Sequence, residues 1–193
     1  MKKSFISIFI ALLCLNSFSQ DLNIPQGIYK TFSEFKQHSP SRQLTDSLIT
    51  KDVRYGFWGL TSKKRVQFYI LNLGRKEARS IGKAFAVVDG QNIYVKINSM
   101  KINSKSRFVK TEMVGQYLLY TDLNFYMDNK LPFLWYTYPV EKFVDYKSGK
   151  LKTLSKFEVR RQIKDNEELL RKFKQDKQKD KKLREFLYAY SKK

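Results

Sequence analysis

Thiols are almost absent from this chain. Cys14 is its one cysteine and His38 its one histidine among 193 residues. A chain with one thiol forms no internal disulfide. One His and one Cys also supply too few donors for a tight transition-metal site. Acidic residues are scarce: 18 Asp and Glu face 38 Lys and Arg, a formal charge of +20. There is no glycine-rich phosphate loop and no GxSxG elbow. There is also no long apolar run. The longest, Phe5 to Leu15, falls short of the roughly 20 residues that span a hydrocarbon core.

That run has the layout of an export signal. Met1-Lys2-Lys3 is a basic head, Phe5 to Leu15 an apolar core, and Ser17 and Ser19 are small residues where a signal peptidase reads. The pattern predicts a signal peptide over 1–19, cleaved between Ser19 and Gln20. A lipoprotein signal is the alternative at Cys14, but Leu13 stands where a lipobox needs a small residue. Cleavage at Ser19 removes Cys14, so the 174 remaining residues carry no thiol. Such a chain relies on its core alone. At this length that suffices, since about 150 residues bury roughly 70% of their unfolded surface.

Removing Lys2 and Lys3 leaves a charge of +18. Residues 147–193 hold 17 Lys and Arg against 7 acids, so more than half of the excess lies in the last quarter. A balance of this kind favours polyanions. Outside the cytoplasm these are anionic lipid, lipopolysaccharide or acidic polysaccharide; nucleic acid sits in the wrong compartment. The competing reading is a set of solvated helix faces. The polyanion reading assigns Lys172, Lys174, Lys177, Lys179, Lys181, Lys182 and Arg184.

The residue pattern predicts one α+β domain over 20–193: an antiparallel β-meander followed by short C-terminal helices packed on it. The β-rich segment is expected over 50–153 and the basic helical segment over 155–190. A β-domain with a semi-independent helical tail is the alternative. Thr31 and Glu34 form a capping box that opens a short helix through Lys36, ended by His38-Ser39-Pro40. Arg65 to Ile70 reads as a strand. Asp89-Gly90 is the strongest hairpin signal, with Ala86 expected opposite Ile93 and Ala84 opposite Val95. A second turn is expected at Val114-Gly115. Phe133 to Tyr138 and Val140 to Tyr146 read as strands, with Pro139 expected to break or edge the sheet between them. Ser155 and Glu158 make a second capping box, and Asp165-Asn166 a fresh cap. Leu183, Phe186, Leu187 and Tyr190 fall on one helical stripe.

Catalytic signals are weak. His38 sits in a polar, proline-bounded loop and reads as a surface histidine. Asp122 to Tyr126 begins like a calcium loop, but Tyr126 occupies a ligand position and the glycine is missing. Asp89, Glu112, Asp122 and Asp128 lie in or beside the β region, and a carboxylate hydrolase needs two of them paired. No catalytic residue, metal site or cofactor is assigned. The densest aromatic cluster contains Trp135, Tyr136 and Tyr138, which reads either as core or as an exposed platform. Tyr55, Phe57 and Trp58 invite the same two readings.

Gly27, Tyr29, Thr31, Glu34 and Phe35 begin the mature chain in a Gly-x-Tyr-x-Thr-x-x-Glu-Phe pattern. With the Phe85 to Gly90 hairpin and the Lys-rich end, it resembles a set of uncharacterised secreted Bacteroidota proteins. Their frequent Tyr-Asn ending is replaced here by Tyr190-Ser191-Lys192-Lys193. The resemblance implies export in a Gram-negative cell and carries over no functional residue. Three function classes remain open: a non-enzymatic exported interaction domain, a carboxylate-dependent glycan hydrolase, and an envelope structural or assembly partner.

Overall fold

The computed structural model describes residues 23–44, 48–57, 60–72, 84–97, 107–127 and 135–192. The signal segment with Cys14, Ser19 and Gln20, and also Trp58 and Asp128, lie outside them. The class is α+β, an antiparallel sheet with mostly C-terminal short helices. Strand β1 is Gly27–Tyr29, so β structure begins well before residue 50. β2 (Leu48–Phe57) and β3 (Leu60–Leu71) form a long hairpin. β4 is Ala86–Asp89, β5 Asn92–Ile97, β6 Arg107–Lys110 and β7 Glu112–Val114. β8 (Tyr117–Met127) and β9 (Trp135–Asp145) are long partners, and β10 (Leu151–Thr153) adds to β9.

The strand order is β1-β4-β5-β6-β3-β2-β9-β8-β7. Only Thr111 separates β6 from β7, so the last strand of this path runs straight into a strand in its middle. The path from β6 through β3, β2, β9 and β8 back to β7 is therefore a ring. β5, β4 and β1 extend from it as a flap. Inside lies one apolar cluster: Val66 and Phe68 of β3, Val109 of β6, Leu118 and Tyr120 of β8, and Val144 of β9, joined by Ala86, Val88, Val95 and Ile97. Side chains alternate across a strand, so their neighbours point outward. Ile28, Val87, Tyr94 and Phe108 form a second cluster on the outer face of the flap.

The hairpin loops sit one residue later than expected, which shifts each cross-strand pairing by two residues. Asp89 pairs with Asn92, Val88 with Ile93 and Ala86 with Val95, so the loop is Gly90-Gln91. Val114 pairs with Tyr117, so the second loop is Gly115-Gln116 rather than Val114-Gly115. In each, glycine takes the first central position, with φ of 57° and 58°. A turn with positive φ at that position alone needs one glycine, whereas Asp-Gly at the centre needs two tolerant residues.

Pro139 does not divide the segment into separate strands. β9 runs through it unbroken, with Pro139 opposite Leu123 on β8. The backbones of Glu141 and Asp145 bond towards β10, and Pro139 has the same parity. Its missing N–H thus faces the stretch of β9 between the β2 contact at Tyr136 and the β10 contact at Lys142, where no ladder bond is needed.

Helix α1 (Phe32–Lys36) closes one end of the ring. Its capping box is complete: Glu34 N–H donates to Thr31 Oγ1 at 3.2 Å, and Glu34 Oε2 accepts from the Lys30 and Thr31 amides at 2.7 and 3.3 Å. Ser41 also donates to Glu34 Oε2. Phe35 is fully buried, with ring centroids 5.4 Å from Tyr29, 5.7 Å from Phe85 and 5.8 Å from Tyr146. His38 corrects its expected surface role. It is partly buried, turns the chain with φ 56°, and holds its Nε2 2.9 Å from the Tyr146 hydroxyl.

Three helices cover the outer face of β8 and β9: α2 (Lys156–Gln162), α3 (Glu167–Gln175) and α4 (Leu183–Ser191). Val159, Ile163, Phe173, Phe186 and Leu187 bury Tyr117, Leu119 and Phe143. Leu183 and Tyr190 complete the expected stripe. Asn166 caps α3 through the Leu169 amide at 3.1 Å. The second capping box is only half made. Ser155 accepts from Glu158 N–H at 3.3 Å, but the Glu158 carboxylate turns to Arg161 and Lys152, at 2.7 and 3.6 Å. Two cations outcompete one backbone N–H for it.

The α1 lock is pH-sensitive. The Ser41 hydroxyl, then the Lys30 and Thr31 amides, hold the Glu34 carboxyl below its ordinary value. A depressed folded pKa stabilises fully above the unfolded value, about 4.3, and the contribution fades as pH falls through the folded one. Glu34→Gln should therefore show a shallower loss of denaturation midpoint between about pH 5 and pH 2 than the parent. Parallel acid limbs in urea titrations would contradict this role.

Candidate functional site

Two groups of polar side chains stand out, one inside the ring and one on the helices. The inner group follows from strand alternation. Tyr120 lies directly opposite Lys142, Asp122 opposite Val140, and Asn124 opposite Tyr138. Tyr120 and Leu118 share the inner face, so this file continues the apolar core away from the α1 end. Asp122 is 2% exposed, and its Oδ2 accepts from Lys142 Nζ at 2.7 Å. Its Oδ1 accepts from the Leu123 amide at 2.8 Å. Lys142 keeps 14% of its side chain exposed, so its stem is packed while the charge is paired. Burial, and then the Asp122 charge, push the Tyr120 phenol well above its ordinary pKa. Its hydroxyl has no hydrogen-bond partner among the described residues. Along the file the burial relaxes, from Tyr120 and Asp122 to a half-buried Asn124 and a Tyr138 that is 38% exposed.

The other acids named from sequence are dispersed. Glu112 and Glu141 meet on opposite sides of the Arg184 guanidinium, the first at 2.9 Å. That clamp ties the start of α4 to β7 and β9. Asp89 ends β4. Among the described residues, Asp122 is thus matched with a lysine.

The aromatic stretch divides. Tyr138 is exposed. Trp135 and Tyr136 enter β9 opposite Met127 and Tyr126, but their side chains fall outside the described residues. The same holds for Tyr55 and Phe57.

The basic residues of the helical end also divide. Lys172 pairs with Glu168 at 2.6 Å, Lys182 with Asp176 at 3.0 Å, and Arg184 is held in its clamp. Lys179 donates to the Lys174 carbonyl at 3.3 Å and lies over the Phe173 ring. These four serve the fold. Lys174, Lys177 and Lys181 are exposed and make no ion pair among the described residues. Two cations that sequence reasoning missed join them: Arg160 and Lys164 are exposed on α2 and just after it, likewise without an acid. Their signal was available, since helical rotation sets Arg160 beside the buried Val159–Ile163 stripe rather than in it, and Lys164 follows the helix end. Deeper in the layer, Tyr117 accepts from Gln116 Nε2 at 3.0 Å, and burial pushes its phenol up to about 12. Tyr190 donates to Asp165 at 3.1 Å.

The Asp122–Lys142 pair should be costly to break by halves. Asp122→Ala or Lys142→Ala breaks the pair from one side and should destabilise by about 1–3 kcal/mol. A double Asp122→Leu, Lys142→Met variant should recover most of that loss, because the desolvated charges go together. Urea denaturation of the four proteins measures the cycle; additive losses would refute the coupling.

No family model matches the chain, and neither curated proteins nor solved structures show a significant match to it.

Proposed function

We propose that the protein is a non-enzymatic exported interaction domain that holds anionic envelope material on the outer face of its helical layer. One observation carries this reading. After the internal ion pairs are subtracted, Lys174, Lys177, Lys181, Arg160 and Lys164 remain exposed without acidic partners among the described residues. A solvated charge that is not matched within the fold is available to neutralise a phosphate or carboxylate outside it. The mechanism is electrostatic. Polyanion binding releases condensed counter-ions, so affinity falls steeply with salt. The fold contributes a rigid base, because α2, α3 and α4 are fastened to the ring through Phe173, Phe186 and Leu187. The export signal over 1–19 and the resemblance to secreted Bacteroidota proteins supply the compartment.

The test is retention on heparin and on lipopolysaccharide beads. The parent should elute at much higher salt than an acidic control of similar size. A triple Lys174→Gln, Lys177→Gln, Lys181→Gln variant should lose affinity by about 100-fold at low salt, taking roughly 1 kcal/mol for each cation near an anionic surface. Elution of the parent with the control, or of the variant with the parent, would overturn this reading.

A further inference from the structure

We infer that α2 is a lipid anchor, in which Phe157 enters the interface of an anionic bilayer while Arg160, Arg161 and Lys164 stay among the headgroups. This rests on the anionic-envelope reading and narrows the anion to a lipid surface. Phe157 is 70% exposed, the most open of the large apolar side chains among the described residues. Val159 and Ile163 fix the rotation of α2 by packing on Tyr117 and Phe143. At 100° per residue, positions 157 and 161 then share the opposite face, with 160 at its border and Lys164 exposed just past the end of the helix. The Arg161 guanidinium lies 5.7 Å from the Phe157 ring centroid and also contacts Glu158. Lys156 is exposed at the start of the helix and pairs with Asp180 at 3.1 Å. The acids in contact with this face, Glu158 and Asp180, are thus both already matched by cations.

The combination selects the partner. Cations alone suit any polyanion. An exposed phenyl ring gains nothing from phosphates; it can stack on a sugar face, but it sheds more water at the acyl boundary just beneath a headgroup layer. Arginine and lysine stems reach up from that depth to keep their charges in the polar zone. One ring is a weak anchor, and stable attachment takes a second signal. The neighbouring cations supply it. A second copy of the chain is a poor occupant, because two such faces would bring like charges together. Leu151 is also exposed, but it sits on the far face of β10, opposite Val144.

The experiment uses the chain from Gln20, which contains every described element. Its binding is measured by sedimentation with vesicles of phosphatidylglycerol and phosphatidylcholine in equal amounts, with phosphatidylcholine alone, and on heparin. Phe157→Ser should weaken partition to the anionic vesicles by about tenfold while heparin elution stays unchanged. Phe157→Leu should restore most of the partition. In Phe157→Trp, the difference emission spectrum should shift to the blue when anionic vesicles are added. Circular dichroism checks that each variant folds. Vesicle binding that is unchanged in Phe157→Ser overturns the anchor. So does a change of oligomeric state in that variant, which would make a second copy the occupant. A parent that binds heparin but no vesicles overturns the anchor and leaves the wider reading standing; a parent that binds neither removes both.

Discussion

A single residue, Thr111, lets one strand serve two ends of the same sheet. Its amide and its hydroxyl both donate to the Ile93 carbonyl, at 2.8 and 3.0 Å. Before it, β6 pairs with β5 and β3; after it, β7 pairs with β8. The bend converts a sheet with two edges into a ring, and the ring creates an inside. In a chain whose mature form is expected to carry no disulfide, that enclosed core is the principal source of stability. Everything else is arranged about it: the aromatic lock of α1 at one end, the polar file further along, and the helices against β8 and β9. Closure also removes most of the exposed edge that an open sheet of this length would present for aggregation.

Local chemistry in the sequence was legible where a few adjacent residues decide the outcome. The Thr31–Glu34 box, the Asn166 cap and the Leu183 to Tyr190 stripe could be read because each depends on neighbours within one or two turns. The hairpins could be read as hairpins but were misplaced by one residue. Asp-Gly competes with a turn in which glycine comes first, and both registers keep Ala86, Val88, Ile93 and Val95 on one face, so periodicity does not separate the two. Pro139 was left between breaking a strand and marking a sheet edge for a related reason. Its cost depends on whether a strand lies on its N–H side, which is a property of the sheet rather than of the segment. The ring itself left no local trace. It depends on β6 meeting β3 and on β9 meeting β2, contacts between strands separated by other strands. The Asp122–Lys142 pair is hidden in the same way, since 20 positions separate the partners.

Net charge proved a poor guide to the basic surface. Of the seven residues that composition suggested, Lys172, Lys179, Lys182 and Arg184 are drawn into intramolecular contacts. Several of these tie separate elements together, as Arg184 does in joining Glu112 and Glu141. Surface ion pairs of this kind contribute little stability singly, but they set where the remaining cations point. The basic excess of the chain, +20, is thus the sum of two populations. One is spent in orienting the helical layer, and only the other faces solvent unmatched.

The aromatic residues divide by the same logic, and that division gives the exposed Phe157 its meaning. This chain has 15 phenylalanines, 12 tyrosines and two tryptophans. Among the described residues, nearly all of their rings are enclosed, in the α1 lock, in the ring or beneath the helices. Single exposed apolar side chains are common on protein surfaces and need no special account. Phe157 differs in its setting. α2 is held on its Val159 and Ile163 side, and the face turned away carries this ring together with Arg161, with Lys164 exposed just past the helix end. A solvated face has no use for a ring, and a core has no use for the cations. Both are used together at a boundary where an apolar layer lies a few ångströms beneath an anionic one, which is the setting the proposed anchor invokes.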